Sequence, residues 1–187
     1  MTSRERVNIV LNGGIPDRLP LDLGGSAVTG MAASTVSRLR RALGLDARPV
    51  KVVEPYQMLG EVKADLAELL CSDTVSLAGT GTMFGFPAVE FKEWRLADGT
   101  PVLVPVDFNT EYEPNGDLFQ YPGGDRTVPA SGHMPKGGHF FDATNRAVPV
   151  EEEKLNPADN CEEFGPISDA EVEHYRRRAE ELVATSD

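Results

Sequence analysis

The chain has 187 residues, which is long enough for a single domain with its own hydrophobic core. It carries 18 basic against 30 acidic residues, a formal net charge of -12. Binding to a nucleic-acid backbone requires clustered Lys and Arg side chains. The composition therefore argues against a nucleic-acid partner.

Cysteine usage and hydropathy restrict the remaining classes. The cysteines Cys71 and Cys161 lie far apart, and no CxxC pair or Cys/His cluster is present, so the sequence predicts neither a structural zinc site nor a disulfide framework. The N-terminal residues lack the apolar core of a signal peptide, and no run approaches the length of a transmembrane segment. We expect a cytoplasmic protein without a membrane partner.

The chain opens with an alternation typical of α/β proteins. Thr2 and Glu5 have the spacing of a capping box, and Asn12-Gly13-Gly14 ends the helix that this box begins. The apolar run 19–23 then predicts a buried parallel strand that ends in a glycine loop. The purely structural interpretation of this segment is a core strand with a glycine turn and a solvated Asp22.

Helices are predicted over residues 31–43 and 55–71, with a short extended piece at residues 49–54 between them. Residues 73–78 form the next predicted strand, and we expect it to run parallel to the strand at residues 19–23 in a right-handed crossover.

Beyond residue 84 the pattern changes to antiparallel hairpins. Asp98-Gly99 is a strong hairpin turn between residues 89–96 and 100–104. Asn115-Gly116 predicts another turn, between residues 110–113 and 118–121. We expect these hairpins to pack beside the parallel strands and not within their sheet.

The C-terminal part combines a Gly/Pro-rich loop, residues 122–166, with a final helix. Ser168 and Glu171 form a capping box at the start of that helix. In the loop, His133, His139 and Asp142 could be a metal set, but ordinary loop hydrogen bonding explains them better because nothing fixes their directions. We predict no metal site.

The sequence places a candidate ligand site where the predicted parallel strands end. Ligands in α/β folds bind at the carboxyl ends of strands. The predicted site has seven residues, of which the last two come from the neighbouring loop 134–142: Asp22, Gly24, Gly25, Ser26, Thr80, His139 and Asp142. No catalytic residue can be assigned.

Four segments together resemble the uroporphyrinogen decarboxylase superfamily, and most closely its branch related to cobalamin-dependent methyltransferases. They are residues 3–7, 16–25, 93–100 and 134–142. The resemblance implies the N-terminal portion of a TIM (β/α)8 barrel with an antiparallel β-hairpin insertion. Within one partial domain it implies β/α units at 1–83, hairpins at 84–121, a loop at 122–166 and a helix at 167–187.

The resemblance carries less information about activity. In the decarboxylases the loop after the first strand supplies arginines for substrate carboxylates, whereas residues 24–29 here contain no Arg, and Thr80 stands where the catalytic aspartate aligns. The methyltransferase branch uses a zinc-bound His/Cys set in the second half of the barrel, which nothing here matches. Zinc and a corrinoid protein are thus expected only for a complete family member.

Two functional hypotheses remain. The chain is the N-terminal segment of a decarboxylase-like or corrinoid-dependent methyltransferase-like protein, non-catalytic alone, that would act on a small methylated compound or a corrinoid protein once completed. Alternatively, it is a non-catalytic module that binds a small molecule or self-associates. Because the apolar strands would leave an open edge, we expect a homodimer or a complex with the missing barrel half.

Overall fold

The computed structural model describes residues 1–145, 149, 151–158 and 165–186. Its four α-helices are α1 (Ser3–Leu11), α2 (Ala33–Ala42), α3 (Ala64–Leu69) and α4 (Asp169–Thr185). Short 3-10 turns lie at Pro122–Gly124 and Glu152–Lys154. The eight strands are β1 (Met31–Ala32), β2 (Val50–Glu54), β3 (Leu59–Gly60), β4 (Phe91–Arg95), β5 (Pro101–Pro105), β6 (Leu118–Gln120), β7 (Gly132–Met134) and β8 (Asp142–Ala143).

The described strands form two sheets, and the fold is mixed α/β. The larger sheet has the order β1-β3-β2-β5-β4, and the smaller has the order β6-β7-β8. Only β2 and β5 run parallel; the other pairings are antiparallel. The α/β class is confirmed, and no closed barrel is formed among the described residues.

The core lies between α2, the larger sheet and a cluster of phenylalanines. Val36 of α2 and Val52 of β2 are fully buried. Phe141 packs edge-on against Phe84 at 5.6 Å and against Phe108 at 6.2 Å between ring centroids. Since Phe141 N also donates to Tyr56 O at 2.7 Å, this ring anchors the Gly/Pro-rich loop to the larger sheet.

The predicted parallel strands at residues 19–23 and 73–78 were wrong, because neither segment joins a sheet. The two segments do run side by side: Asp73 N donates to Leu21 O at 2.7 Å. Other contacts come from side chains, with Ser72 Oγ accepting from Leu23 N at 3.2 Å. Side-chain hydrogen bonds take the place of regular backbone strand pairing between these two segments.

The helix predicted over residues 55–71 was also wrong in its first half. Only Ala64–Leu69 is helical. The Glu54 carboxylate accepts hydrogen bonds from Tyr56 N at 2.9 Å and Gln57 N at 2.7 Å, which closes a turn. Met58 then adopts a positive φ of 54°, and β3 follows.

The hairpin at Asp98-Gly99 is confirmed, and β4 pairs with β5 over five residues each. Its predicted position beside the parallel strands was wrong, since β5 pairs with β2 inside the larger sheet. The Asn115-Gly116 turn forms, but residues 110–113 are not a strand. Instead β6 pairs with β7.

Both predicted capping boxes are present. Thr2 Oγ1 accepts from Glu5 N at 3.1 Å, and Ser168 Oγ accepts from Glu171 N at 3.3 Å. Among the described residues, no helix has the length and apolar character that crossing a bilayer requires.

Candidate functional site

Part of the predicted ligand site is brought together by a single carboxylate. Asp22 Oδ1 accepts from Gly25 N at 2.9 Å and from Thr74 Oγ1 at 2.6 Å. A Cβ on Gly25 would lie 2.5 Å from Asp22 Oδ1 and Thr74 Oγ1, so the close approach requires glycine. Asp22 is therefore used to close the loop.

The other predicted residues of this loop also have local partners. Gly24 has a φ of 83° and lies against Val62. Ser26 Oγ lies 3.1 Å from Thr29 Oγ1. Thr80 accepts from Ala88 N at 2.7 Å through its backbone carbonyl. These contacts are local, and none of these residues lines the cavity described next.

The loop residues His133, His139 and Asp142 do not gather around a common point. His133 Nε2 lies 3.0 Å from Asp117 Oδ2, and its ring stacks on Phe119 at a centroid distance of 4.6 Å. No group of three His, Cys, Asp or Glu side chains in the described part of the chain could hold a metal ion. Cys161 lies outside the described residues.

A cavity lies elsewhere, between the start of α2, the β4–β5 turn and the loop after β7. Its volume is about 280 Å³. Of the seven predicted site residues, only His139 lines it. The wall is mostly apolar, and its fifteen lining residues are Ala32, Ala33, Ser34, Met58, Leu96, Ala97, Asp98, Tyr112, Gly116, Leu118, Met134, Pro135, Gly137, Gly138 and His139.

Met58 reaches the cavity because of the turn that Glu54 closes. The Met58 side chain is buried, and Ala33 N donates to Met58 O at 2.9 Å, which joins this turn to the start of α2. Burial raises the pKa of the Glu54 carboxyl, although the amides of Gln57 and Tyr56 act in the opposite direction. One buried acid thus shapes this wall.

Two polar side chains lie together on the opposite wall. Asp98 Oδ1 accepts from Thr100 N at 2.9 Å, and hydrogen bonds from Thr100 lower the pKa of the Asp98 carboxyl. Burial and the Asp98 charge raise the pKa of Tyr112 to about 12. At neutral pH the cavity therefore presents a carboxylate beside a protonated phenol.

The loop after β7 is held in place by Asp117. Its Oδ1 accepts from Lys136 N at 2.8 Å, while Oδ2 contacts His133 Nε2. The Lys136 and His133 hydrogen bonds lower the pKa of the Asp117 carboxyl. Because Pro135, Gly137 and Gly138 flank this anchor, the cavity wall is fixed from one side chain.

A second cluster of charge, around Asp73, is buried and has no cavity. The Asp73 side chain is 0% exposed and accepts from Arg6 Nη1 at 2.5 Å, Arg18 Nη1 at 2.6 Å and Leu21 N at 2.8 Å. Ser3 Oγ donates to it at 2.9 Å. Burial raises the pKa of Asp73, but the hydrogen bonds from Arg18, Leu21, Ser3 and Arg6 outweigh it and hold the pKa well below its usual range.

Two of the segments that carry the sequence resemblance meet in this cluster. Arg6 and Arg18 belong to residues 3–7 and 16–25, and both bind Asp73. Arg6 also binds Asp17 at 2.7 Å, which lowers the pKa of Asp17 to about 2. Arg6 thus connects α1 to Asp73, and Arg18 connects residues 16–25 to Cys71 and Asp73.

Sequence analysis missed both the cavity and Asp73. The cavity is lined from separate segments of the chain, and the motifs among them, Asp98-Gly99 and Asn115-Gly116, predict turns and not a site. Asp73 was visible only as the first residue of a predicted strand. In the sequence, an isolated acidic residue does not indicate a charge cluster, because the two arginines reach Asp73 only in the folded chain.

Comparison of the chain with protein-family models, curated proteins and solved structures gave no match.

Proposed function

We propose that this chain is a non-catalytic module that binds a small, mainly apolar organic molecule in the cavity between α2, the β4–β5 turn and the loop after β7. The observation that carries the proposal is the cavity itself, about 280 Å³ in volume. Ligand sites are concave and mostly apolar, with a few placed polar groups, and occupy about 300–1,000 Å³. A volume just below this range fits a compact molecule.

The support for a binding role is the way in which the cavity is built. Its walls are fixed before any ligand enters, by the Glu54 turn on one side and by Asp117 on the other. A preformed site binds without first ordering its own loops. No reaction is proposed for this cavity.

A rim substitution tests this assignment without disturbing the core. Ala97 lines the cavity but is exposed, and Ala97→Trp should close the entrance while the melting temperature stays near that of the wild type. Ala42→Trp, on the exposed end of α2, is the matched control. The probe is cyclohexylmethanol, followed through amide chemical shifts.

We expect cyclohexylmethanol to shift the amides of Met58, Leu118 and Gly138 in the wild type and in Ala42→Trp, but not in Ala97→Trp. Shifts confined to residues 22–26, or equal shifts in both variants, would contradict the cavity assignment.

We infer as a second candidate that the chain is the N-terminal segment of a uroporphyrinogen decarboxylase-like, corrinoid-dependent methyltransferase-like barrel. Two observations favour it: two of the four family-like segments, residues 3–7 and 16–25, meet at Asp73, and residues 19–23 lie beside residues 73–78, as neighbouring barrel strands would. Zinc, a corrinoid protein and a methylated substrate would then belong to the completed protein. A porphyrinogen substrate is not proposed, because residues 24–29 offer no Arg.

Hydrogen exchange tests this second candidate. The chain is mixed with the C-terminal half of a cobalamin-dependent methyltransferase of the same superfamily, and the amides of residues 19–23 and 73–78 are followed. Slowed exchange in both segments, as ladder hydrogen bonds form, is the expected result. Unchanged exchange together with no co-elution would remove the candidate.

A further inference from the structure

We infer that the cavity selects a small hydrocarbon amine in its protonated form, with the ammonium group at Asp98 and the Tyr112 ring and the hydrocarbon body against Met58 and Leu118. This inference rests on the proposed function and specifies its ligand class. It follows from how charge and apolar surface are divided within one cavity.

The formal charge of the cavity lining is negative. Asp98 is the single carboxylate among the lining residues, and no Lys or Arg is among them. The carboxylate is already oriented, because Oδ1 accepts from Thr100 N at 2.9 Å. The low pKa of this carboxyl keeps it ionised at neutral pH. A cation entering the cavity therefore meets a fixed negative charge.

An aromatic ring lies beside that charge. Tyr112 lines the cavity and stacks on Trp94 with a centroid distance of 5.4 Å and an interplanar angle of 13°. The stacking fixes the ring, and aromatic faces attract ammonium groups. The Tyr112 phenol, whose pKa is raised to about 12, is uncharged at neutral pH and adds no negative charge to the cavity.

The rest of the wall accommodates a hydrocarbon body. Met58, Leu118 and Met134 are buried and line the cavity. Methionine side chains adapt to irregular apolar shapes. A carboxylate ligand of the same shape would place its charge near that of Asp98, and a neutral alcohol would leave the Asp98 charge without a cation.

The positive charge of Arg38 acts against the binding of a cation in the cavity. Arg38 is an exposed residue of α2 whose charge acts on Asp98 and contributes to lowering its pKa. Since it does not line the cavity and is surrounded by water, its repulsion of a bound cation is screened. Arg38→Gln should therefore strengthen amine binding only slightly.

Three probes of matched shape test the inference: cyclohexylmethylamine, cyclohexylmethanol and cyclohexanecarboxylate, each titrated by NMR at pH 7. We expect the amine to bind about fivefold more tightly than the alcohol, the amount that one partly exposed ion pair with an aromatic contact supplies. The carboxylate should bind most weakly.

Asp98→Asn provides the decisive variant. Asn-Gly suits the same hairpin turn as Asp-Gly, and the Asn oxygen can still accept from Thr100 N, so the fold is retained. The amine preference should disappear while the affinity for the alcohol stays unchanged. Asp107→Asn removes an exposed carboxylate outside the lining and should leave the preference intact.

The outcomes separate the two proposals. If none of the three probes shifts the cavity amides, the proposed function fails. If the alcohol binds there and the amine binds no more tightly, or Asp98→Asn keeps the preference, the amine inference is overturned and the proposed function stands.

Discussion

At the scale of single residues, two buried acids organise this molecule in opposite ways. Asp73 is satisfied by Arg6 and Arg18, whereas Glu54 is satisfied by the backbone amides of Tyr56 and Gln57. Two cations favour the ionised form of Asp73, while desolvation disfavours the ionised form of Glu54. The two acids therefore respond to pH with opposite signs.

Replacing Asp73 should destabilise the fold strongly. Asp73→Asn removes the charge that faces two arginines, one of them Arg6 with a buried side chain. Removing one partner of a buried pair costs about 3–5 kcal/mol, and the lower value of about 3 kcal/mol applies because Arg18 is partly exposed. Urea denaturation measures the free energy of unfolding, with Asp107→Asn as the exposed control.

The difference in the free energy of unfolding between wild type and Asp73→Asn has a defined pH dependence. The pKa of folded Asp73 is lowered, so its stabilisation is fully present above the unfolded pKa of about 4 and is lost as the pH falls through the folded value. The difference between wild type and Asp73→Asn should therefore shrink only below about pH 4. A difference that is constant down to pH 2 would contradict this assignment.

Glu54 should titrate above the usual range. Its folded pKa is raised by burial, so the stability that it contributes is fully present below its unfolded pKa and is lost as the pH rises through the folded pKa. NMR titration of the side-chain carboxyl carbon measures this directly. A Glu54 midpoint at or below the ordinary glutamate pKa of about 4.3 would refute the expected direction.

At the scale of elements, the Asp98-Gly99 turn holds β4 to β5. Gly99 has a φ of 80°, and a Cβ there would meet no atom within 4 Å, so only the backbone conformation resists substitution. Gly99→Ala should lower the free energy of unfolding by about 1 kcal/mol. Gly81→Ala is the matched control, because Gly81 has open space and no positive φ. Equal effects of the two variants would count against this turn geometry.

Elements whose cause is local could be predicted from the sequence. Each capping box joins residues three positions apart, Thr2 with Glu5 and Ser168 with Glu171. The Asp98-Gly99 hairpin likewise depends on its own turn. Short-range hydrogen bonds of this kind need no knowledge of the remaining chain.

Elements whose structure depends on distant partners could not be predicted from the sequence. Residues 55–60 carry a helical stripe, but Glu54 captures the amides that such a helix would use, and β3 pairs with β1 and β2. Of the candidate site, sequence analysis included only His139 among the cavity residues. The remaining lining residues meet through packing, which no single motif records.

At the scale of the whole molecule, the segments at residues 19–23 and 73–78 leave an apolar surface open to water. Leu19 is 83% exposed, and Leu21, Val75 and Leu77 are exposed as well. Contiguous apolar surface of this kind marks interaction sites. A second copy of the chain and a further barrel segment are the partners proposed for it.

We expect the isolated chain to self-associate through this surface. Light scattering should show a mass that rises with concentration, and Leu19→Lys combined with Leu77→Lys should restore the monomer. Leu11→Lys combined with Leu155→Lys is the control, since these leucines are exposed elsewhere. A concentration-independent monomer in the wild type would exclude self-association.

The contacts of Asp73 also have a consequence for synthesis of the chain on the ribosome. Arg6 is the buried residue of α1, and the carboxylate that it shares with Arg18 is made 67 residues later. Until that carboxylate leaves the exit tunnel, Asp17 is the acid available to the Arg6 guanidinium. Docking of α1 against Asp73 must therefore follow the synthesis of α2 and α3.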